Sequence, residues 1–309
     1  MNTKSHLSVN LKAGVYKQGK NPITERVFFL LLEFPIKAPL NCFAILIING
    51  RGGLMIHRLV AVAAFLLVSI LANASPLDAC REHVKYGAPS TQPVLLCRLA
   101  YVLSHNSAHK VPDWVAYHLT REHILSGNVP RSDDFRPDVD LEPGERSELK
   151  DYKSSGFDRG HMAPADVMKW SERAMSESFL LSNMAPQVGA GFNSGIWKSL
   201  EGKVQKWALA RGELYVVTGP IYDSGTLGTI GTNKVTIPTH FYKVIFDPVR
   251  VEAIAFILPN KKNPSSQLPT FIVSVDLVET KTGLDFLAEL EDSVEQLIEA
   301  GVQPGLWAE

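Results

Sequence analysis

Residues 155–166 read SGFDRGHMAPAD, and the reading of this stretch decides how the rest of the chain is understood. Asp158, Arg159 and His161 crowd around Gly160, and Pro164 fixes the exit of the segment. Histidine is the side chain that exchanges a proton near neutral pH without special tuning. Arginine keeps its charge and offers a planar fork of donors that matches phosphate oxygens. Glycine between them lets backbone or substrate approach closely. Taken alone, the tetrapeptide is equally readable as a salt-bridged turn.

Downstream, Asn183 falls in a Pro- and Gly-rich loop. Asn193 opens the segment NSGIWKSLEGKVQKWALAR (193–211), where Ile196, Leu200, Val204 and Ala208 recur every four residues and predict an amphipathic helix stopped by Gly212. Glu201 lies eight residues beyond Asn193, about 12 Å of helical rise, so the two cannot share a tight ligand shell. An amide oxygen with a more distant carboxylate suits a hydrated Mg²⁺, which prefers oxygen and keeps several waters. It suits zinc poorly, since zinc favours His and Cys. The plainer alternatives are a helix cap for Asn193 and a solvated helix charge for Glu201.

Four ordered motifs, DRGHMAPA (158–165), SNMAPQ (182–187), FNSGIWKSLE (192–201) and YVVTGPIY (215–222), resemble the DNA/RNA non-specific endonucleases, the group that includes the Serratia nuclease and endonuclease G. The resemblance covers roughly Cys97 to Leu290. It implies a ββα-metal (His-Me finger) core and hydrolysis of DNA and RNA to 5′-phosphate ends. It also implies His161 as general base, Asn193 as the direct ligand of Mg²⁺ (with Mn²⁺ as a substitute), and Glu201 as a ligand through water. Arg159 and Asn183 support the site, and Arg131 is the phosphate-contacting arginine, with Arg136 its competitor in a loosely matching loop. Two other readings are a nucleic-acid-binding protein that has lost catalysis and a phosphodiesterase for small diesters. The joint presence of His161, Asn193 and Glu201 counts against the first. A homodimer is compatible with the sequence. The general-base role predicts a rate that falls on acidification between pH 8 and 5.

Around these motifs the chain reads as α+β, with a central, mainly antiparallel sheet flanked by helices, because strand and helix patterns do not alternate regularly. DWVAYHLT (113–120), ELYVVTGPIY (213–222), KVTIPTHFYKVIFD (234–247) and VEAIAFILPN (251–260) predict strands. Residues 126–156 read as a long surface loop, 171–183 as part helix and part strand, and 274–290 as a strand or turn entering a helix. His105 and His109 are placed in a polar loop.

The N-terminal part has a different character. His57 and Arg58 precede an apolar run from Leu59 to Leu71 that ends on Ala72-Asn73-Ala74, the pattern of a secretory signal over 55–74. The run is shorter than the roughly 20 residues a bilayer crossing needs, so no stable membrane insertion is expected after cleavage. A buried helix is the alternative. Residues 1–54 read as a mis-assigned extension, with translation starting at Met55, which leaves 75–309 as a single nuclease domain, secreted or periplasmic. That domain carries 23 Lys+Arg against 30 Asp+Glu, an acidic balance that argues against a stoichiometric nucleic-acid coat but not against an enzyme that releases its product. Cys80 and Cys97, an even pair in an exported chain, predict a disulfide, with two free thiols as the alternative.

Overall fold

A computed structural model of the chain describes residues 77–90 and 94–307, together with two strands nearer the N-terminus, β1 (Asn10–Val15) and β2 (Phe28–Glu33). β1 and β2 pair antiparallel within a unit spanning Met1–Ala74, and Ser75–Glu309 makes a second unit. The apolar segment 55–74 lies outside the described residues.

The second unit is organised on a seven-stranded sheet. Its strands are β3 (Leu95–Cys97), β4 (Val102–Asn106), β5 (Val111–Thr120), β8 (Glu213–Ile221), β11 (His240–Asp247), β12 (Glu252–Pro259) and β13 (Ile272–Val273), in the spatial order β13-β12-β11-β8-β5-β4-β3. All neighbours are antiparallel. Two short ribbons stand apart: β6 (Phe157–His161) with β7 (Met184–Val188), and β9 (Thr229–Ile230) with β10 (Val235–Thr236).

Successive residues of a strand point to opposite faces, and both faces of this sheet are covered. Leu103, Val115, Tyr117, Val216, Phe241 and Ile245 pack into one apolar cluster, while Val102, Trp114, Ala116, Tyr215, Tyr242 and Val244 pack into another. The first cluster receives Ile196, Leu200, Val204 and Ala208, the row with four-residue spacing, so this face carries the β6–β7 ribbon and the helix after it. The second face receives Val275 and Val278 of the helix Val275–Thr282, and Cys80 and Val84. Cys80 and Cys97 form a disulfide that ties the turn at Asp78–Val84 to β3.

The helices are α1 (Arg121–Leu125), α2 (Leu149–Tyr152), α3 (Glu172–Ser178), α4 (Lys198–Arg211), α5 (Val275–Thr282) and α6 (Asp292–Ala300). Among the described residues none is long and apolar enough to cross a membrane. Several expectations are revised in detail. Regular helix begins at Lys198 rather than 193, because Gly191 (φ +86°) and Gly195 (φ −123°, ψ −111°) break the repeat and leave Gly189–Trp197 as a wide, irregular turn. Residues 171–183 contain no strand: Ser171 caps α3, and a 3-10 turn at Leu181–Asn183 follows. Residues 275–282 are helix, capped by Ser274 and ended by Gly283 at φ +70°. His105 is a buried residue of β4, its Nε2 2.8 Å from the Glu145 carbonyl, rather than part of a polar loop.

Candidate active site

β6, β7 and α4 together make a ββα unit, and its register places the polar groups. His161 is the last residue of β6, opposite Met184. Gly160 is required by its neighbour across the ribbon: a Cβ there would sit 2.1 Å from Cδ of Gln187. Gly189 does the same for Asp158, whose carboxylate oxygen would lie 2.9 Å from an added Cβ. The space so preserved lets Asp158 Oδ2 accept a hydrogen bond from Asn193 Nδ2 at 2.9 Å. A carboxylate can only accept, so the amino end of the Asn193 amide is committed to Asp158 and its oxygen is the end left for a cation. Asn193 is not a helix cap. The residue at that position of α4 is Trp197.

His161, Arg159, Arg131, Asn193 and Glu201 all line one cleft of about 670 Å³. Of the two candidate arginines in the 130s, Arg131 faces this cleft. Arg136 instead binds Asp134 (2.7 Å) and the Ser176 carbonyl (3.0 Å), fastening its loop to the end of α3. Asn183 does not line the cleft. It is fully buried, its Oδ1 accepts from the Ala163 amide, and its Nδ2 donates to the carbonyls of Ala163 and Ser178, each at 2.9 Å. It clamps the turn that leaves His161.

Two phenylalanines that sequence reasoning did not single out form the floor under the basic groups. Phe135 and Phe179 meet edge to face at 4.8 Å. The His161 ring stands on both, with centroids at 5.6 and 5.0 Å. The Arg159 guanidinium lies 4.0 Å from the Phe135 centroid and that of Arg131 4.8 Å from Phe179. Cations over aromatic faces are held without consuming their hydrogen-bond donors. Neither phenylalanine sits in a periodic pattern, so spacing gave no signal.

The electrostatics are polarised. Burial, reinforced by the cations of Arg131 and Arg159, pushes the His161 imidazole down to about 3, so it is neutral across the physiological range. Its Nε2 has no hydrogen-bond partner among the described residues. Glu201, in the first turn of α4, is shifted the opposite way by burial, while Lys243 draws it back toward the anion. Lys243 is fully buried on β11, its Nζ 4.6 Å from the Trp197 ring centroid and without a hydrogen-bond partner among the described residues. Lys243 too was invisible in the sequence, where it reads as one polar position in a strand.

Besides the neutral His161 imidazole, the side-chain acceptors of the cleft include the Asn193 amide oxygen and the carboxylates of Asp158, Asp166 and Glu201. These oxygens, one of them pre-oriented by a carboxylate, fit a hard divalent cation.

A histidine at the end of a two-stranded ribbon, sharing one arginine-flanked cleft with an amide that precedes the next helix, fits a ββα-metal phosphodiester hydrolase. The chain belongs to the DNA/RNA non-specific endonuclease family, whose family model matches residues 81–293. It is 33% identical over 298 residues to a nuclease of Syncephalastrum racemosum, covering 90% of this chain and 91% of that protein. It is 39% identical over 225 residues to nuclease C1 of Cunninghamella echinulata var. echinulata, covering 68% and 89%. It is 35% identical over 238 residues to mitochondrial endonuclease G of Caenorhabditis elegans, covering 72% and 77%. Among solved structures it is similar to an endonuclease G crystallised with its inhibitor EndoGI, with a TM-score of 0.66 at 35% identity over 71% of this chain and 95% of that one. The protein is a nuclease, a hydrolase of phosphodiester bonds.

Proposed function

We propose that this nuclease is exported, uses Mg²⁺, and cuts DNA and RNA internally to 5′-phosphate and 3′-hydroxyl ends with His161 as general base. The observation that carries this reading is the convergence of His161, Arg159, Arg131, Asn193 and Glu201 on one cleft. Neutral His161 takes a proton from water as that water attacks phosphorus, and the P–O3′ bond opposite it breaks. Arg159 and Arg131 stabilise the extra negative charge on the phosphate oxygens in the transition state. Asn193, directly, and Glu201, through water, would hold Mg²⁺, which when bound offsets charge on the phosphate and on the departing oxygen. Mn²⁺ meets the same donor set. Asn183 keeps the turn after His161 in register and touches no substrate.

Breadth of substrate follows from what lines the cleft: guanidinium and ammonium groups address phosphates, and phosphate contacts carry no base information. Export to the periplasm or medium is supported by the signal pattern over 55–74 and by the Cys80–Cys97 disulfide, a bond suited to oxidising compartments.

The test is digestion of supercoiled plasmid and of RNA, with and without EDTA, by the wild type and His161→Ala. Both polymers should be degraded, EDTA should stop the reaction, and the substitution should slow it about 10²–10⁴-fold. Cleavage indifferent to EDTA or to the loss of the imidazole overturns the mechanism.

A further inference from the structure

Away from the cleft, α5 and α6 bring together Asp276, Glu279 and Glu299, each offering a carboxylate oxygen within 4.8 Å of the others. Asp276 and Glu279 are three apart on α5 and share a face, while Glu299 comes from the last turn of α6. Like charges this close repel. The charges that act most strongly on Glu299 are those of Glu279, Glu295, Asp276 and Asp285, all carboxylates. The end of α6 adds the negative pole of a helix dipole and no basic residue.

A second observation separates this cluster from an ordinary acidic surface. Glu299 is only 5% exposed, and its Oε1 is shielded from solvent with no hydrogen-bond partner among the described residues. A buried carboxylate oxygen without a donor is costly, and the same carboxylate gives an oxygen to the group formed with Asp276 and Glu279. Glu279 retains one oxygen for the group, since Oε1 accepts from the Phe286 amide at 2.8 Å. Asp276 is exposed and gives the group an opening to solvent.

We infer that Asp276, Glu279 and Glu299 form a structural Ca²⁺ site that fastens the two C-terminal helices to each other. An all-oxygen group of carboxylates with room for water suits Ca²⁺, which takes six to eight oxygens in a flexible shell, better than Mg²⁺, which demands a near-ideal octahedron. Water completes the shell on the Asp276 side. With one buried ligand and an open edge, affinity belongs in the ~10⁻⁴–10⁻³ M range of extracellular modules.

The experiment measures Ca²⁺ uptake by calorimetry and thermal unfolding with added Ca²⁺ or Mg²⁺. It uses the purified Asn193→Ala protein, so that the catalytic cleft contributes no ion, with and without Glu299→Gln. One Ca²⁺ per chain, a melting temperature that rises with Ca²⁺ more than with equal Mg²⁺, and loss of both effects in Glu299→Gln are expected. That substitution should not lower the melting temperature in the absence of Ca²⁺, because glutamine keeps the size of the side chain and brings no charge into the acidic group, so misfolding does not mimic the result. If Glu299 instead sits there as a neutral carboxyl, no Ca²⁺ is taken up and the inference is overturned. A calcium increment that survives Glu299→Gln overturns it equally.

Discussion

Asn193 and Asp158, on different elements of the ββα unit, are joined by a single hydrogen bond of 2.9 Å from amide to carboxylate. This bond decides which end of the Asn193 side chain is available to a cation. Asp158 is exposed, so its loss should barely change stability. Partners that orient a metal ligand typically matter 10–100-fold in metal affinity. Asp158→Ala is therefore expected to raise the Mg²⁺ concentration for half-maximal cleavage by about that factor with the melting temperature held. An unchanged Mg²⁺ requirement would show that the amide is oriented by something else.

Arg159 rests 4.0 Å from the centroid of Phe135. A cation–π contact at a partly exposed site is worth about 0.5–1 kcal/mol, which is a factor of roughly two to five in rate if the guanidinium acts on the transition state. Phe135→Leu keeps apolar volume and removes the ring face. It should lower kcat/KM by that modest factor, measured on a defined oligonucleotide, and Phe135→Tyr should restore it.

Asn183 makes three buried hydrogen bonds to main-chain groups of Ala163 and Ser178. Removing the side chain strands those groups, at about 1–3 kcal/mol for each left unsatisfied. Asn183→Ala should thus lose several kcal/mol in urea unfolding. The Mg²⁺ requirement of the remaining folded protein should be unchanged, which separates a clamp from a ligand.

How far the sequence revealed this arrangement depends on the interaction concerned. The four-residue row of Ile196, Leu200, Val204 and Ala208 is a local pattern, and it marks the buried face of α4 correctly. The boundary of that helix was not legible, because Gly191 and Gly195 act through backbone angles that depend on packing. Motif residues such as His161 and Asn193 could be named as site candidates from their chemistry and order. Phe135, Phe179 and Lys243 could not, since each reaches the site by a long-range contact and looks in sequence like any aromatic or strand residue. The aspartate of the DRGH motif was visible, but its bond to Asn193 spans 35 positions and exists only in the fold.

The acid limb of activity is assigned differently by structure and by sequence. With the imidazole pushed down to about 3, His161 is neutral from pH 8 to 5 and does not by itself produce the fall expected from an ordinary histidine. Glu201, shifted upward by burial, takes up a proton at higher pH than a free carboxyl does. Cation binding needs the anion, so Mg²⁺ affinity should weaken as pH falls toward 5. At saturating Mg²⁺ the rate should stay nearly flat over this range, whereas at low Mg²⁺ it should drop, and Glu201→Gln should abolish the difference. For stability the two groups oppose each other. As pH falls below the ordinary histidine value, the unfolded chain binds a proton that native His161 refuses, and stability is lost. In the window between the ordinary glutamate value and the raised one, native Glu201 binds the proton that the unfolded chain releases, and stability is gained. His161→Phe should therefore make unfolding less sensitive to acid, which urea titrations at pH 7 and 5 would resolve.

Lys243 has no hydrogen-bond partner among the described residues and is wholly enclosed, yet Glu201 is the charge that sustains its ammonium. Burying an ammonium costs several kcal/mol, and replacing such a group by an apolar one of similar length is often neutral or stabilising. A lysine that contributed only packing could thus be exchanged for methionine without any functional trace. If its charge instead keeps the Glu201 carboxyl closer to the anion, its removal has a specific consequence. Lys243→Met should melt no lower than the wild type and reach a similar kcat at saturating Mg²⁺. It should need several-fold more Mg²⁺ for half-maximal rate, with the gap widening as pH falls. The same Mg²⁺ curve for variant and wild type at pH 6 would reduce Lys243 to a core residue. The opposite result, a large loss of kcat with no change in Mg²⁺ requirement, would mean that the ammonium acts through the position of Trp197 and α4 rather than through the charge of Glu201.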